Sequence, residues 1–309
     1  MEFLYLLENI RTPFWDAFFS AVTYLGDEIF FMAIAIAVYW CVDKKWGYYL
    51  LTVGFFGTLI NQFAKIMCRV PRPWVRDPNF TIVESARSAA GGYSFPSGHT
   101  ANISGTLGSI AMFTRKKALS IVLCIIIALV SFSRMSLGVH TPADVGFSLL
   151  MSAILVFGLY PFFAKYRNDS KRMAVIIAIL TVLSLCFALF VELNAWDADI
   201  DAANLAAATK NAWLLTGCGA GMLLSLWIDT KYVNFSVKAP LWAQILKVAL
   251  GLLIILAIRM GLKPVFSAIF GGAAFADALR YFCMVVFAAG IWPMSFRWFA
   301  SGCKVSRRK

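Results

Sequence analysis

The sequence predicts an all-α fold, a polytopic transmembrane helical bundle of about nine spans. Three observations predict it. Apolar residues make up 61% of the 309 positions and charged residues 14%, too little charge to cover a soluble domain of this length. The apolar residues fall in long runs, most of them close to the ~20 residues a helix needs to cross a bilayer. Short loops rich in Lys and Arg separate the runs.

Residues 1–25 are aromatic and amphipathic and carry Glu2, Glu8 and Asp16. That pattern suits one or two helices lying in the membrane interface and argues against a cleaved signal peptide. Nine candidate spans follow, at residues 26–42, 46–67, 98–113, 118–137, 142–163, 173–193, 212–228, 240–258 and 278–298. Residues 263–275 are apolar but contain Pro264, Gly271 and Gly272, so they read as a loop or a re-entrant segment. Nothing in the composition marks a linker, and the division expected is residues 1–172 as a core with the motifs and 173–309 as further helices.

Charge sets the expected orientation. Alternate loops hold Lys44 and Lys45; Arg115, Lys116 and Lys117; Lys165, Arg167, Lys171 and Arg172; Lys231 and Lys238; and the basic tail Arg297, Lys304, Arg307, Arg308 and Lys309. The richer side is expected in the cytoplasm, which puts the N-terminus outside and the C-terminus inside. In a bacterial cell this is the inner (plasma) membrane. The net charge of +12 is therefore spread through loops that meet anionic headgroups, and no nucleic-acid partner is expected. The seven cysteines lie mostly inside apolar runs without a CxxC pair, as small buried hydrophobes, so neither a disulfide nor a metal site is expected. Asp197, Asp199 and Asp201 imitate the start of a calcium loop, but Ala202 and Ala208 stand where its Gly and closing Glu belong. An exposed acidic loop is the better reading.

Three segments carry chemistry, and the expected topology gathers them on the outer side. The first runs from Lys65 to Arg72 and Pro73, two cations at a membrane boundary that would converge on a phosphate. Alone, they read more readily as snorkelling residues. The second is Pro96-Ser97-Gly98-His99 at the start of a span. Gly98 lets the backbone approach a ligand, the helix start favours an anion, and Ser97 also reads as an ordinary N-cap. His99 at that entry is placed to protonate a leaving oxygen. The third is Ser133-Arg134 followed by His140 and Asp144. Arg134 adds a planar cation suited to phosphate oxygens. Thr141, Pro142 and Asp144 read as N-cap, N1 and N3 of a new helix, a geometry that returns the carboxylate toward His140. A carboxylate on one ring nitrogen would leave the other free to attack phosphorus. His99 and His140 are the chain's two histidines, and both fall in these segments.

Together, Lys65-x6-Arg72-Pro73, Pro96-Ser97-Gly98-His99 and Ser133-Arg134-x5-His140-x3-Asp144 resemble the signature of the type-2 phosphatidic-acid phosphatase superfamily. That group includes lipid phosphate phosphatases, undecaprenyl-diphosphate phosphatases, glucose-6-phosphatase and vanadium haloperoxidases. Within it, nine helices with an outside N-terminus also resemble glucose-6-phosphatase and the sphingosine-phosphate phosphatases. The resemblance covers residues 65–144 and implies a core of about six helices. It implies that Lys65, Arg72 and Arg134 hold phosphoryl oxygens with Ser97 and the Gly98 amide, that His140 attacks, that Asp144 orients it, and that His99 protonates the leaving group. It also implies a metal-independent reaction that needs no cofactor. The expected substrate is a lipid phosphate or diphosphate in the bilayer, because the motifs sit at span ends. A soluble sugar-phosphate phosphatase, a phosphotransferase, and a non-enzymatic lipid transporter or scaffold are the alternatives.

Overall fold

The computed structural model describes residues 1–300 except 167 and 199. Arg167, Asp199, Cys303, Lys304, Arg307, Arg308 and Lys309, which entered the charge, cysteine and calcium-loop readings, lie outside the described residues.

Among the described residues every long element is helical. In order they are α1 (Glu2–Asn9), α2 (Pro13–Thr23), α3 (Glu28–Ala37), α4 (Lys44–Cys68) and α5 (Pro73–Arg76), then α6 (Gly98–Thr114), α7 (Lys117–Ser136), α8 (Pro142–Tyr166) and α9 (Ser170–Leu193). α10 (Ala202–Ile228), α11 (Leu241–Phe270), α12 (Ala274–Val286) and α13 (Phe296–Ala300) complete the chain. Seven helices are long and apolar enough to cross a membrane, or eight if the bent pair Pro13–Gly26 and Glu28–Val42 makes one span. The protein is an integral membrane protein with multiple spans.

This corrects the expected nine. Each of the nine apolar segments does hold a helix, but two do not qualify as spans by themselves. α6 has 17 residues, many of them Gly, Ser and Thr, short for a hydrocarbon core ~30 Å thick. The helix from Glu28 qualifies only together with α2, across a bend of 48°. A second difference concerns residues 263–275. α11 runs unbroken through Pro264 to Phe270 and ends only where Gly271 and Gly272 take positive φ (61° and 79°). One lost hydrogen bond within an apolar helix costs less than exposing a whole loop's backbone to lipid.

The chain divides into two units. One comprises Met1–Met32, Tyr49–Phe162 and Ala195–Ala208. In it α1 and α2 pack on α7 and fix the loop between α5 and α6. Phe19 joins Ala86, Ala90, Leu137 and Val139 in one apolar cluster; Leu4 joins Phe80 and Ile82 in another. Polar ties reinforce both: Arg11 donates from Nε to the Ser136 carbonyl (2.9 Å) and from Nη1 to the Thr81 carbonyl (2.9 Å), and the Tyr5 hydroxyl donates to Asp77 (2.7 Å). Gly138 turns at φ 78°, where an added Cβ would lie 2.7 Å from Arg11 Nη2, so the turn before His140 needs glycine on both counts. The amphipathic N-terminal helices expected from residues 1–25 are present, and they brace this loop and turn.

The other unit comprises Ala33–Tyr48, Phe163–Asn194 and the chain from Thr209 onward. Its centre is Trp40, fully buried, whose Nε1 donates to the Ala288 carbonyl (2.9 Å). Lys247, also fully buried, donates to the Trp40 carbonyl (3.1 Å) and sits 4.4 Å from the Phe296 ring centre. Lys44 pairs with buried Asp229 at 2.7 Å. These cations are neutralised or solvated by the protein itself, which is what a low-dielectric interior demands.

Candidate active site

α4 carries Lys65 in its last turn, and Nζ donates to the Tyr93 carbonyl (2.6 Å). The helix ends at Cys68, Arg69 takes a left-handed φ of 49°, and the chain continues as extended backbone to Arg72, the residue before Pro73. The prolines thus part Arg72 from the Lys65 helix, as their missing N–H groups require.

The Arg72 guanidinium is buried. It donates to the carbonyls of Gly91 (2.7 Å), Gly92 (3.0 Å) and Val139 (2.9 Å), and its Nη1 lies 2.9 Å from His140 Nε2. A guanidinium has only donors, so Nε2 must be the acceptor, and the ring proton of neutral His140 belongs on Nδ1. Nδ1 faces Asp144 Oδ2 at 3.4 Å, with both side chains 2% exposed. Oδ2 also accepts from the Ser94 hydroxyl (2.6 Å) and the Thr141 amide (2.8 Å), while Thr141 Oγ1 accepts from the Asp144 amide (3.3 Å). The last two are the reciprocal capping pair expected at the start of α8.

Burial and the nearby charges of Arg72, Arg134 and Lys65 hold the His140 pKa well below the ordinary histidine value. The ring is therefore neutral at neutral pH.

Ser97 caps α6, accepting from the Thr100 amide (3.4 Å), and its own amide donates to the Asp144 carbonyl (3.3 Å), tying the starts of α6 and α8 together. Packing alone does not require glycine at 98: a Cβ there would meet only Asn61 Oδ1, at 3.9 Å. His99 Nε2 lies 2.9 Å from Asp27 Oδ1 in an ionic contact outside hydrogen-bond alignment.

Arg134, near the end of α7, is wholly buried. Nη1 donates to Thr23 Oγ1 (2.6 Å), and its carbonyl accepts from the amides of Val139 (3.1 Å) and His140 (3.2 Å). Its Nε and Nη2 have no hydrogen-bond partner among the described residues. Unfilled donors on a buried cation are costly, and an anion with several oxygens would fill them.

All eight residues picked out from the sequence lie in one unit, and the contacts above connect Arg72, His140, Asp144, Ser97 and Arg134 directly. Sequence reasoning missed Ser94, Thr23 and Asp27. Asp27 did leave a signal, since it begins a long apolar run where an unpaired carboxylate is expensive. Arg69 and Arg87, in the segment between α4 and α6, pair outside the site: Arg69 with Asp197 (3.2 Å) and Arg87 with Glu84 (2.7 Å).

Known proteins bear the same pattern. Residues 45–168 match the family model described as PAP2 superfamily, and residues 213–304 match that of the PAP2 superfamily phosphatase, transmembrane extension. The second match covers the C-terminal helices that the three motifs left without an assignment. Human sphingosine-1-phosphate phosphatase 2 is 23% identical over 273 residues, which cover 81% of this chain and 65% of that protein. Undecaprenyl-diphosphatase BcrC of Bacillus subtilis is 35% identical over 121 residues, 39% of this chain and 59% of its own. Phosphatidylglycerophosphatase B of Bacillus subtilis is 30% identical over 178 residues, 52% of this chain and 79% of its own. The chain thus spans roughly three fifths of the length of the first two relatives. With two family models matched along its length, and a relative at 30% identity covered over most of its own length, the chain belongs to the PAP2 superfamily.

Proposed function

We propose that this protein is an integral-membrane phosphatase that hydrolyses a lipid phosphate monoester or diphosphate through a phosphohistidine at His140. The observation that carries the reading is Arg134, a fully buried guanidinium with two donors unfilled among the described residues, whose carbonyl accepts from the amide of His140, a neutral histidine whose Nε2 holds its lone pair. In this reading Lys65, Arg72 and Arg134, with Ser97 and the Gly98 amide, take the phosphoryl oxygens. Nε2 attacks phosphorus and the P–O bond to the lipid breaks. His99 gives its proton to the leaving oxygen. Water then attacks phosphorus as the P–N bond breaks and its electron pair returns to Nε2, His99 takes a proton from that water, and inorganic phosphate departs. Asp144 keeps the Nδ1 proton in place and offsets the charge that His140 gains when phosphorylated. Three fixed cations provide the charge stabilisation that phosphoryl transfer needs, and the reaction is read as independent of metal and cofactor.

A lipid substrate is favoured by the membrane setting and by the names of the relatives, each a phosphatase of a membrane lipid. The site is read as facing the extracytoplasmic side of a bacterial plasma membrane. Residues 1–172 form the core with the motifs in this reading, and residues 173–309 extend it. The test is phosphate release by the detergent-purified chain, with and without a chelator, from lipid monophosphates, lipid diphosphates and sugar phosphates. Chelator-resistant release from the lipid panel is expected. Release from sugar phosphates alone would overturn the lipid assignment, and loss of turnover with chelator would overturn the metal-free mechanism.

A further inference from the structure

His99 has a neighbour that none of the three motifs supplies. Asp27 lies between α2 and α3, where the two helices meet at 48°, and its Oδ1 is 2.9 Å from His99 Nε2. The backbone on either side of the carboxylate is held firmly. The Asp27 amide donates to the Tyr24 carbonyl (3.1 Å), and the Asp27 carbonyl accepts from Phe30 (3.1 Å) and Phe31 (3.2 Å). Gly26 packs straight onto the histidine: a Cβ there would lie 2.9 Å from His99 Cβ and 3.1 Å from its carbonyl oxygen. Asn102, on the turn of α6 after His99, donates to the Gly26 carbonyl (3.3 Å). The bond from Arg134 to Thr23 fastens the same stretch to α7. A segment anchored at three points thus presents one carboxylate to one imidazole.

The charges around His99 give that carboxylate a task. Burial disfavours a charged ring first, and Arg134, Arg72 and Lys65 each repel an imidazolium as well. Asp27 is the carboxylate that meets the ring, with Oδ1 2.9 Å from Nε2. A general acid must hold its proton until the leaving oxygen needs it, and three cations oppose that.

We propose that Asp27 is a positioning residue that holds the His99 ring and supports its protonated form. The inference deepens the phosphatase reading and rests on it. In this role Asp27 acts through the imidazole and makes no contact with the phosphoryl group. The proton leaves His99 for the departing oxygen as the P–O bond breaks, and the attacking water returns one in the second half-reaction.

The test compares wild type, Asp27→Asn and Asp27→Glu in the purified full chain. Each is assayed for kcat/KM on an alkyl lipid phosphate and on p-nitrophenyl phosphate, whose leaving group needs little protonation. Asp27→Asn should lower kcat/KM for the alkyl substrate about 10- to 100-fold and for the aryl substrate less than about threefold, the signature of a weakened acid. The alkaline limb of the kcat/KM profile should move to lower pH, because the protonated ring loses its counter-charge while Lys65, Arg72 and Arg134 stay. Asp27→Glu should recover part of the loss, and Asp27→Asn should add nothing in a His99→Ala background. Equal losses on both substrates with an unmoved limb would mean a merely structural role and would overturn the inference. So would an Asp27→Asn enzyme as active as wild type. A wild-type chain that releases phosphate from neither substrate fails the phosphatase reading itself.

Discussion

The two histidines of this protein each face an aspartate, but the two pairs are built differently. His140 and Asp144 are both 2% exposed, and the carboxylate accepts hydrogen bonds from Ser94 and Thr141 with His140 Nδ1 3.4 Å away. His99 and Asp27 stand closer, at 2.9 Å, with the Asp27 side chain 34% exposed. The first pair is dry and fixed, which suits a nucleophile that must stay neutral and keep its lone pair aimed. The second is less deeply buried, with the His99 side chain 14% exposed, which suits a group that must reload a proton in every cycle. Under the proposed mechanism, burial decides which histidine attacks and which shuttles protons.

The largest expected effect breaks the first pair. His140→Ala should lower phosphate release by about 10⁴-fold or more, since no other side chain can carry the phosphoryl group in its place. Labelled substrate quenched in alkali should leave acid-labile phosphate on the wild-type chain and none on the variant. Equal labelling of both would remove His140 from the mechanism. Next is Arg134→Lys, which keeps the charge but gives up the planar fork. With Nε and Nη2 as its two unfilled donors, the expected loss is about 10²- to 10³-fold in kcat/KM. A loss below about threefold would show that those donors do not meet the transition state.

The contrast between the pairs also explains what could be read from the sequence. Asp144 lies four residues from His140, within one helix cap, so the spacing Thr141-Pro142-x-Asp144 was enough to place it. Lys65, Arg72 and Arg134 were legible for a similar reason, because their distances from Pro73 and His140 are local. Asp27 and Thr23 come to the site from another part of the chain, through the packing of α2 on α7 and of Gly26 on His99. No spacing rule reports such an approach. In the fold, the apolar runs located the helices but not their worth as spans. α6 fell short through its Gly, Ser and Thr content, while α11 absorbed Pro264 that would end a helix in water.

A smaller effect would sharpen the comparison without removing chemistry. With two histidines in the chain, ¹⁵N-histidine spectra of the detergent-solubilised protein can follow each ring separately. His140 should remain a neutral Nδ1–H tautomer as pH falls through the ordinary histidine pKa of ~6.5, because burial and three neighbouring cations disfavour its charged form. The sign follows directly: the neutral nucleophile exists above the folded-state pKa and is lost only below it. Arg72→Gln removes one repelling charge and should move that titration upward. A wild-type His140 that titrates near 6.5 would contradict the dry, cation-ringed site.

The smallest expected effect concerns Ser94, which donates to the same Asp144 oxygen that faces His140, at 2.6 Å and fully buried. Hydrogen bonds to charged groups contribute roughly 1.5–3 kcal/mol, but the Thr141 amide still holds that oxygen when Ser94 is lost. Ser94→Ala should therefore lower kcat/KM by only about 3- to 10-fold and leave phosphohistidine trapping intact, with Ser94→Thr recovering part of the loss. The effect should vanish in an Asp144→Asn background, because the hydroxyl acts through that carboxylate. If Ser94→Ala instead costs as much as Arg134→Lys, the hydroxyl reaches the phosphoryl group itself. Ser94 would then join Lys65, Arg72, Ser97 and Arg134 among the groups that hold it, and the carboxylate behind His140 would rest on the capping turn of α8 alone.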